Sequence, residues 1–447
     1  MGNKVQNNQL SIADTLGLGF MTFAFFLGAG NLIFPPLAGF LAGENITLAM
    51  FGFLITAVGL PLITLIAVAK ANGKIMQLLP PIAATALAVS IFIIIGPAFA
   101  APRTGLVAYE VGFKPFLEDT TATFMIAGLT FNITQLFYTL GFFGLSMVLA
   151  LFPGKLLDSV GKVLTPILIL LLVGLAISVI VIPGSDIGAA VGDYQTNPLT
   201  KGILEGYNTM DTLASLIFGI LIIDILRKKG ISEPAAQTKY LIKAALIAAA
   251  GLAFVYISLF FLGATAGDLA AGAENGGVIL TNYVIAKFGA SGMILLSSVV
   301  TLACLTTSVG LISACGEYFN ELAPKISYRR FVVLVSVVCA TVANVGLAQL
   351  IDISVPVLMT VYPVAIALVA VTFLTERFAH PKMAHRLVVS VALFFGIVDG
   401  FKAAKVDVSF FNFMPLHNEG MAWLLPTAIV IIACLMAKKP SQPVAAS

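Results

Sequence analysis

The stretch FFLGAGNLIFPP, residues 25–36, decides how this chain folds. It sits inside an apolar run over residues 15–41, and a run of about 20 apolar residues crosses a bilayer core. Gly28, Gly30, Asn31, Pro35 and Pro36 nevertheless oppose a continuous helix. Glycine costs about 1 kcal/mol in a helix interior, and proline removes a donor and clashes with the preceding turn. A break at membrane depth survives only where it faces protein or a water-filled cavity. There the freed carbonyls can hold a cation, and the half-helix N-terminus can hold an anion. A kinked helix with close small-residue packing is the plainer alternative. So many breakers within nine residues favour the binding break.

The rest of the chain supplies the context. Of 447 residues, 59% are hydrophobic and 10% charged, and mean hydropathy is +1.04. A soluble domain carries roughly a quarter charged residues, so a disordered chain, a nucleic-acid binder and a soluble enzyme are all excluded. The apolar runs are continuous, whereas a β-barrel shows short alternating segments of about ten residues. The class is an all-α membrane protein. Twelve runs are long enough to span: 15–41, 47–69, 81–101, 133–152, 162–183, 207–226, 239–263, 291–316, 331–350, 354–374, 386–401 and 420–437. Residues 121–132 are also apolar and could form a short outer helix. One membrane domain, 1–447, takes up the whole chain, and its first run reads as a retained span rather than a cleaved signal. Cys304, Cys315, Cys339 and Cys434 show no metal or redox spacing and read as small buried apolar residues.

Charge fixes the orientation. With the N-terminus inside and the spans alternating, Arg103, Lys114, Lys201, Lys287, Lys402 and Lys405 fall outside, and the other 18 of the 24 Lys and Arg fall inside. The run Arg227-Lys228-Lys229 reads as a topology anchor. On the outer side, segment 275–290 is half apolar and too short to span; it is either a re-entrant or surface helix over an outer vestibule or an ordinary amphipathic loop helix.

Two further spans carry polar groups. The sixth, MDTLASLIFGILIID (210–224), places Asp211, Thr212 and Ser215 before Phe218 and Gly219, the one glycine that interrupts it. Spans 1 and 6 would open the halves of a five-plus-five inverted repeat, and interrupted segments at matching positions point to a binding site. The eighth, TLACLTTSVGLISACGEYF (301–319), carries Thr306, Thr307 and Ser308 within one turn. Such hydroxyls suit a small hard cation, although they also bond back to their own helix. Arg103 follows GPAFAAP at the end of span 3 and is most simply placed at the interface; as a gate it would pair with Glu110 or with a substrate carboxylate. Asp224, Glu317 and Asp399 read as interfacial, and His380, His385 and His417 as loop residues without a metal cluster.

FFLGAGNLIFPP, IGPAFAAPRTG (95–105) and the span 8 segment together resemble the bacterial branched-chain amino acid carriers of the BrnQ type, the Leu/Ile/Val:cation symporters, over essentially the whole chain. That family is in turn similar to LeuT-type transporters. The resemblance implies broken helices 1 and 6, repeat one at about 11–183, repeat two at about 205–374 and extra helices at about 386–437. It implies sodium-coupled uptake of leucine, isoleucine and valine, with sodium as coupling ion and no other cofactor. By position it puts Ala29 and Gly30 on the substrate carboxylate and Asn31 beside it or on a cation. It puts Thr306 and Thr307 on sodium, completed by the carbonyls of Ala24, Leu27 and Ala303. Many LeuT-type proteins carry an arginine where this chain has Phe34, so the outer gate must differ, and Arg103 is the candidate replacement.

The sequence therefore leads to a secondary transporter in a bacterial cytoplasmic or inner membrane, with both termini cytoplasmic. An apolar amino acid would bind between spans 1, 3, 6 and 8, with Thr212, Ser215 and Phe218 contributed by span 6. A proton-coupled carrier or exchanger on the same scaffold, with Asp211 or Glu317 carrying the proton, is the alternative. An integral-membrane enzyme would need convergent acids, a metal triad or a nucleophile–base pair, which the motifs do not supply.

Overall fold

The computed structural model describes residues 9–117, 122–126, 129–152, 165–181 and 185–437. The first apolar run divides into α1 (Ile12–Phe26) and α2 (Ala29–Ala42), separated by the non-helical Leu27 and Gly28. Gly43, at φ 46°, ends α2 and leads to α3 (Ile46–Leu54), which continues through a π turn into α4 (Leu60–Lys70). The third run does not stop at residue 101. It passes from α5 (Pro81–Ile93) through a bend at Gly96-Pro97 into α6 (Ala100–Gly112). Arg103, Thr104 and Glu110 in α6 hide this extension from an apolarity scan.

Residues 123–126 and 129–132 form an antiparallel hairpin, β1 and β2, rather than the expected short outer helix. Threonines and aromatics there favour extended backbone. Next come α7 (Ile133–Ala150) and α8 (Thr165–Val181). Residues 162–164 and 182–183 of the fifth run lie outside the described residues.

The sixth run begins earlier than its apolarity suggests. Helices α9 (Pro198–Tyr207) and α10 (Asp211–Lys228) are bent by 42° across a short break. The break falls at Asn208–Met210, with Met210 left-handed at φ 64°, and not at Gly219, which lies inside α10 against Val68. Then follow α11 (Pro234–Ala264) and α12 (Gly276–Leu322). Segment 275–290 is the first part of α12, capped by Asn275 and kinked off at Gly289 (φ 59°). It packs on α2 and α6, where a side chain at Gly276 would meet the carbonyl of Ile33. The chain ends with α13 (Tyr328–Val342), α14 (Leu347–Leu374), α15 (Pro381–Ala403) and α16 (Leu424–Met436).

Among the described residues, seven helices are long and apolar enough to cross a membrane, or eight with the bent pair, and α1, α8 and α16 are shorter apolar helices. The fold is thus a multi-pass helical membrane protein. Its centre is α1, α2, α6, α10, α11 and α12. Several pairs there pack through glycine: a Cβ at Gly263 or at Gly39 would strike the α2 or α11 backbone, at Pro36 and Phe260 respectively. Small residues that admit close backbone approach are the usual device for helix packing in lipid.

Candidate functional site

The break between α1 and α2 leaves the carbonyls of the last α1 turn without the next turn's amides. Thr307, on α12, uses its hydroxyl to reach two of them, donating within 3.1 Å of the Ala24 carbonyl and 3.2 Å of the Leu27 carbonyl. Thr306 lies 2.9 Å from the Ala303 carbonyl of its own helix and 3.4 Å from Ala24. All five residues with an expected cation role therefore converge on one spot. Gly28 is required there, because a Cβ would lie 2.9 Å from the Thr307 methyl. The neighbouring Ser308 hydroxyl is buried without a partner.

On the other side of the break, the Gly28 amide donates to Asn31 Oδ1 (3.0 Å), which caps α2. Asn31 Nδ2 then donates to Asp211 Oδ2 (2.7 Å) and to the Tyr256 hydroxyl. Tyr256 in turn donates to the same Asp211 oxygen at 2.7 Å. This buried triad ties α2 to α10 and α11. Asp211 sits at the first position of α10, where a carboxylate is favoured by the free amides and the helix dipole.

Arg103 is not at the interface. It is 3% exposed, donates to the Asn208 carbonyl at 2.8 Å, and lies 5.2 Å from the centre of the Phe34 ring. Its Nε and Nη1 have no hydrogen-bond partner. Glu110 is not its partner, since that carboxylate pairs with Lys114 at 3.1 Å. The continuation of span 3 past its bend is what carries Arg103 inward.

These groups line one cavity of about 30 Å³, bounded by Phe25, Phe26, Gly28–Asn31, Ile95, Arg103, Thr104, Thr209–Asp211, Phe218, Thr307 and Leu311 among others. That is room for about two waters. Of the residues expected on substrate, Ala29, Gly30, Asn31 and Phe218 line it. Phe218 stacks on Phe25 (5.2 Å) and meets Phe26 edge-on (5.5 Å). Thr212 and Ser215 do not line it; their hydroxyls bond the Thr56 carbonyl at 3.4 Å and the Asp211 carbonyl at 2.7 Å. Tyr256 and Thr209 escaped the sequence reading. An acid within a span is a functional signal, so Asp211 was legible; nothing marks Tyr256 within the apolar run of α11.

The remaining candidates lie elsewhere. Glu317 faces Lys228 at 4.0 Å and Asp224 pairs with Arg227 at 2.9 Å, both near the surface. Asp399 is buried rather than interfacial, accepting from the amides of Ala422 and Trp423. His385 lies within α15, not in a loop, 2.9 Å from the Thr375 hydroxyl. Among the described residues no group of three His, Cys, Asp or Glu could hold a metal.

The family model for "Branched-chain amino acid transport protein" matches residues 11–441. The chain is 46% identical over 442 residues to the branched-chain amino acid transport system 2 carrier protein of Pseudomonas aeruginosa, covering 97% of this chain and 98% of that one. It is 41% identical to the Escherichia coli K12 permease BrnQ, covering 96% of each chain. It is 40% identical to the Bacillus subtilis permease BraB, covering 94% of each. Among solved structures, the nucleobase-cation-symport-1 family transporter Mhp1, closed with bromovinylhydantoin bound, aligns with a TM-score of 0.56 at 14% identity, over 94% of this chain and 91% of that one. MhsT in complex with L-phenylalanine aligns with a TM-score of 0.50 at 16% identity, over 94% and 97%. At such identities the likeness is one of fold.

Proposed function

The chain belongs to the branched-chain amino acid transport protein family, whose members named above are transport proteins rather than enzymes, and from that premise we propose that it is a sodium-coupled symporter importing leucine, isoleucine and valine by alternating access. The observation that carries the coupling ion is the convergence of Thr306 and Thr307 hydroxyls with the Ala24, Leu27 and Ala303 carbonyls. Hard cations take oxygen ligands of this kind. Sodium there would bridge α1 to α12 next to the cavity and so help assemble the substrate site. Linkage then makes each ligand raise the affinity of the other by the same factor.

Ala29 and Gly30 amides at the start of α2, with Asn31, form the polar end of the substrate site. Phe218, Phe25 and Phe26 form its apolar end. An apolar pocket separates aliphatic chains by only about 1–3 kcal/mol per methylene, which accounts for a substrate group rather than one substrate. Thr212 and Ser215 support α10 from behind.

Twelve spans in two inverted repeats, about 11–183 and 205–374, with extra helices at about 386–437, complete the proposed architecture. Two non-helical stretches that line one cavity, at Leu27-Gly28 and Asn208–Met210, support broken spans 1 and 6. The membrane is the bacterial cytoplasmic or inner membrane, with both termini inside. Proton coupling through Asp211 is a second reading, favoured by the burial of that carboxylate in the cavity wall.

The test is labelled leucine uptake into proteoliposomes under sodium, potassium and proton gradients. Accumulation under the sodium gradient, competed by isoleucine and valine, is the expected result. Accumulation under the proton gradient alone would overturn sodium coupling in favour of Asp211. Absence of uptake in all three would overturn the substrate class.

A further inference from the structure

Arg103 and Asp211 are oppositely charged, each at most 3% exposed, and both line the same cavity. They are nevertheless held away from one another. Asp211 is engaged by Asn31 and Tyr256, and Arg103 by the Asn208 carbonyl and the face of Phe34. Among the described residues Arg103 pairs with no carboxylate, and its Nε and Nη1 remain without partners. A guanidinium stays charged in a protein. Burying it with donors unmet is costly unless something else meets them. The free amides at the start of α2 lie beside it: a Cβ on Gly30 would come within 3.1 Å of Arg103 Nη2 and 3.2 Å of the Asn208 carbonyl. Gly30 is thus the residue that lets the guanidinium reach the helix N-terminus, and two anion-binding features share one corner of the cavity.

We propose that Arg103 and Asp211 bind the two charged ends of the substrate, the guanidinium taking the carboxylate together with the α2 amides and the Asp211 carboxylate taking the ammonium. This inference rests on the amino-acid transport proposed above and specifies how the head group is chosen. A zwitterion bridging the two walls meets the open donors of Arg103 and gives Asp211 a counter-charge, with no net change in the charge of the site. An amine without a carboxylate leaves Arg103 unmet, and a carboxylic acid without an amine leaves Asp211 without a counter-charge. The aliphatic chain then extends toward Phe25, Phe26 and Phe218. Arg103 acts as a ligand on the substrate, and the site closes as the carboxylate draws the guanidinium onto α2.

Direct binding of labelled leucine to the purified full chain, with 4-methylpentanoate and 3-methylbutylamine as competitors, tests this. These compounds are leucine without its amine and without its carboxylate. Each is expected to bind about 10- to 150-fold more weakly than leucine, the range for a lost hydrogen bond to a charged group. Asp211→Asn should weaken leucine while leaving 4-methylpentanoate within about threefold of its wild-type affinity. Arg103→Gln should weaken leucine while sparing 3-methylbutylamine, and Arg103→Lys should recover part of the loss. Wild-type protein that binds leucine but accepts either analogue within about threefold would overturn the clamp and leave the amino-acid reading intact. Variants that weaken both analogues alike would reduce these residues to a structural role. Should the variants fail to elute as folded protein, the wild-type comparison decides alone. Wild-type protein that binds no leucine in any salt overturns the amino-acid reading and, with it, the clamp.

Discussion

At the scale of single residues, Thr307 is the most exposed to test. Its hydroxyl is the group of α12 that reaches both the Ala24 and Leu27 carbonyls, whereas Thr306 is mostly satisfied by its own helix. Thr307→Ala is therefore expected to raise the sodium concentration for half-maximal leucine uptake by about tenfold, a loss near 1.4 kcal/mol, with Thr306→Ala costing less and Thr307→Ser restoring most of it. Sodium titration of uptake in proteoliposomes measures this; an unchanged half-saturation point in Thr307→Ala would remove the residue from the ion site. Tyr256→Phe makes a different demand. It deletes one of two donors to Asp211 Oδ2 and leaves Asn31 as the other. A lost bond to a buried charge costs about 1.5–3 kcal/mol, so leucine affinity should fall at least about tenfold while the protein still elutes as a single peak in size exclusion. The hydroxyl pair on span 8 was legible because three adjacent hydroxyls in an apolar span are conspicuous. Tyr256 was not, because a tyrosine reads as another apolar residue until its hydroxyl is seen against a carboxylate.

At the scale of elements, the helices meet through glycine. Gly52 on α3 faces the Leu199 carbonyl of α9, and Gly202 on α9 faces the Ala49 carbonyl of α3. Gly39 and Gly263 stand in the same relation across α2 and α11, against Phe260 and Pro36. In each case the obstacle to a side chain is backbone, which cannot rotate away. Overpacking in a tight interface costs about 1–3 kcal/mol or more. Gly39→Ala and Gly202→Ala are expected to lower the midpoint of thermal unfolding in detergent by several degrees or to abolish the folded peak. Gly141→Ala and Gly144→Ala on α7, where nothing lies within 4 Å of the added carbon, should leave it unchanged or raise it slightly. Equal losses in the two groups would mean that contact with the facing backbone does not set the cost, since helix propensity alone favours alanine at all four positions. Apolar run length locates such helices in the sequence, but it misplaces their breaks. Apolarity starts the sixth run at 207 because Lys201 and Glu205 make α9 look like a loop, yet these two pair at 2.9 Å along one face. Apolarity likewise ends the third run at 101, which places Arg103 at the interface, because Arg103, Thr104 and Glu110 interrupt the apolar pattern of α6.

At the scale of the molecule, the loops sort into two ends. Glu44 donates its amide to the Gly188 carbonyl, Asn45 reaches the Tyr194 carbonyl, and Ser185 bonds Thr265, so segments 43–45, 185–195 and 265–268 gather at one end. At the other, Lys229 pairs with Asp14 at 2.9 Å, the Leu10 amide donates to Tyr240, and Lys228 faces Glu317. The first set carries the loops that the Lys and Arg distribution assigns outside, and the second those it assigns inside. The grouping of the loops comes from hydrogen bonds and ion pairs rather than from run length. It also bears on why helices α1, α8 and α16, short by length alone, fit the alternation: α1 is completed by α2 past the break. The expected topology follows. In a cysteine-free background, an impermeant maleimide added to intact cells should label cysteines placed at the exposed positions of Glu44 and Asp268. Cysteines placed at Lys325 and Lys382, also exposed, should react only after permeabilisation. In the proposed orientation the basic residues gather on the inner side, where they would hold it during insertion, so replacing Arg227, Lys228 and Lys229 together should weaken it first around α10. Labelling at position 325 in intact cells would invert the assignment of the two ends.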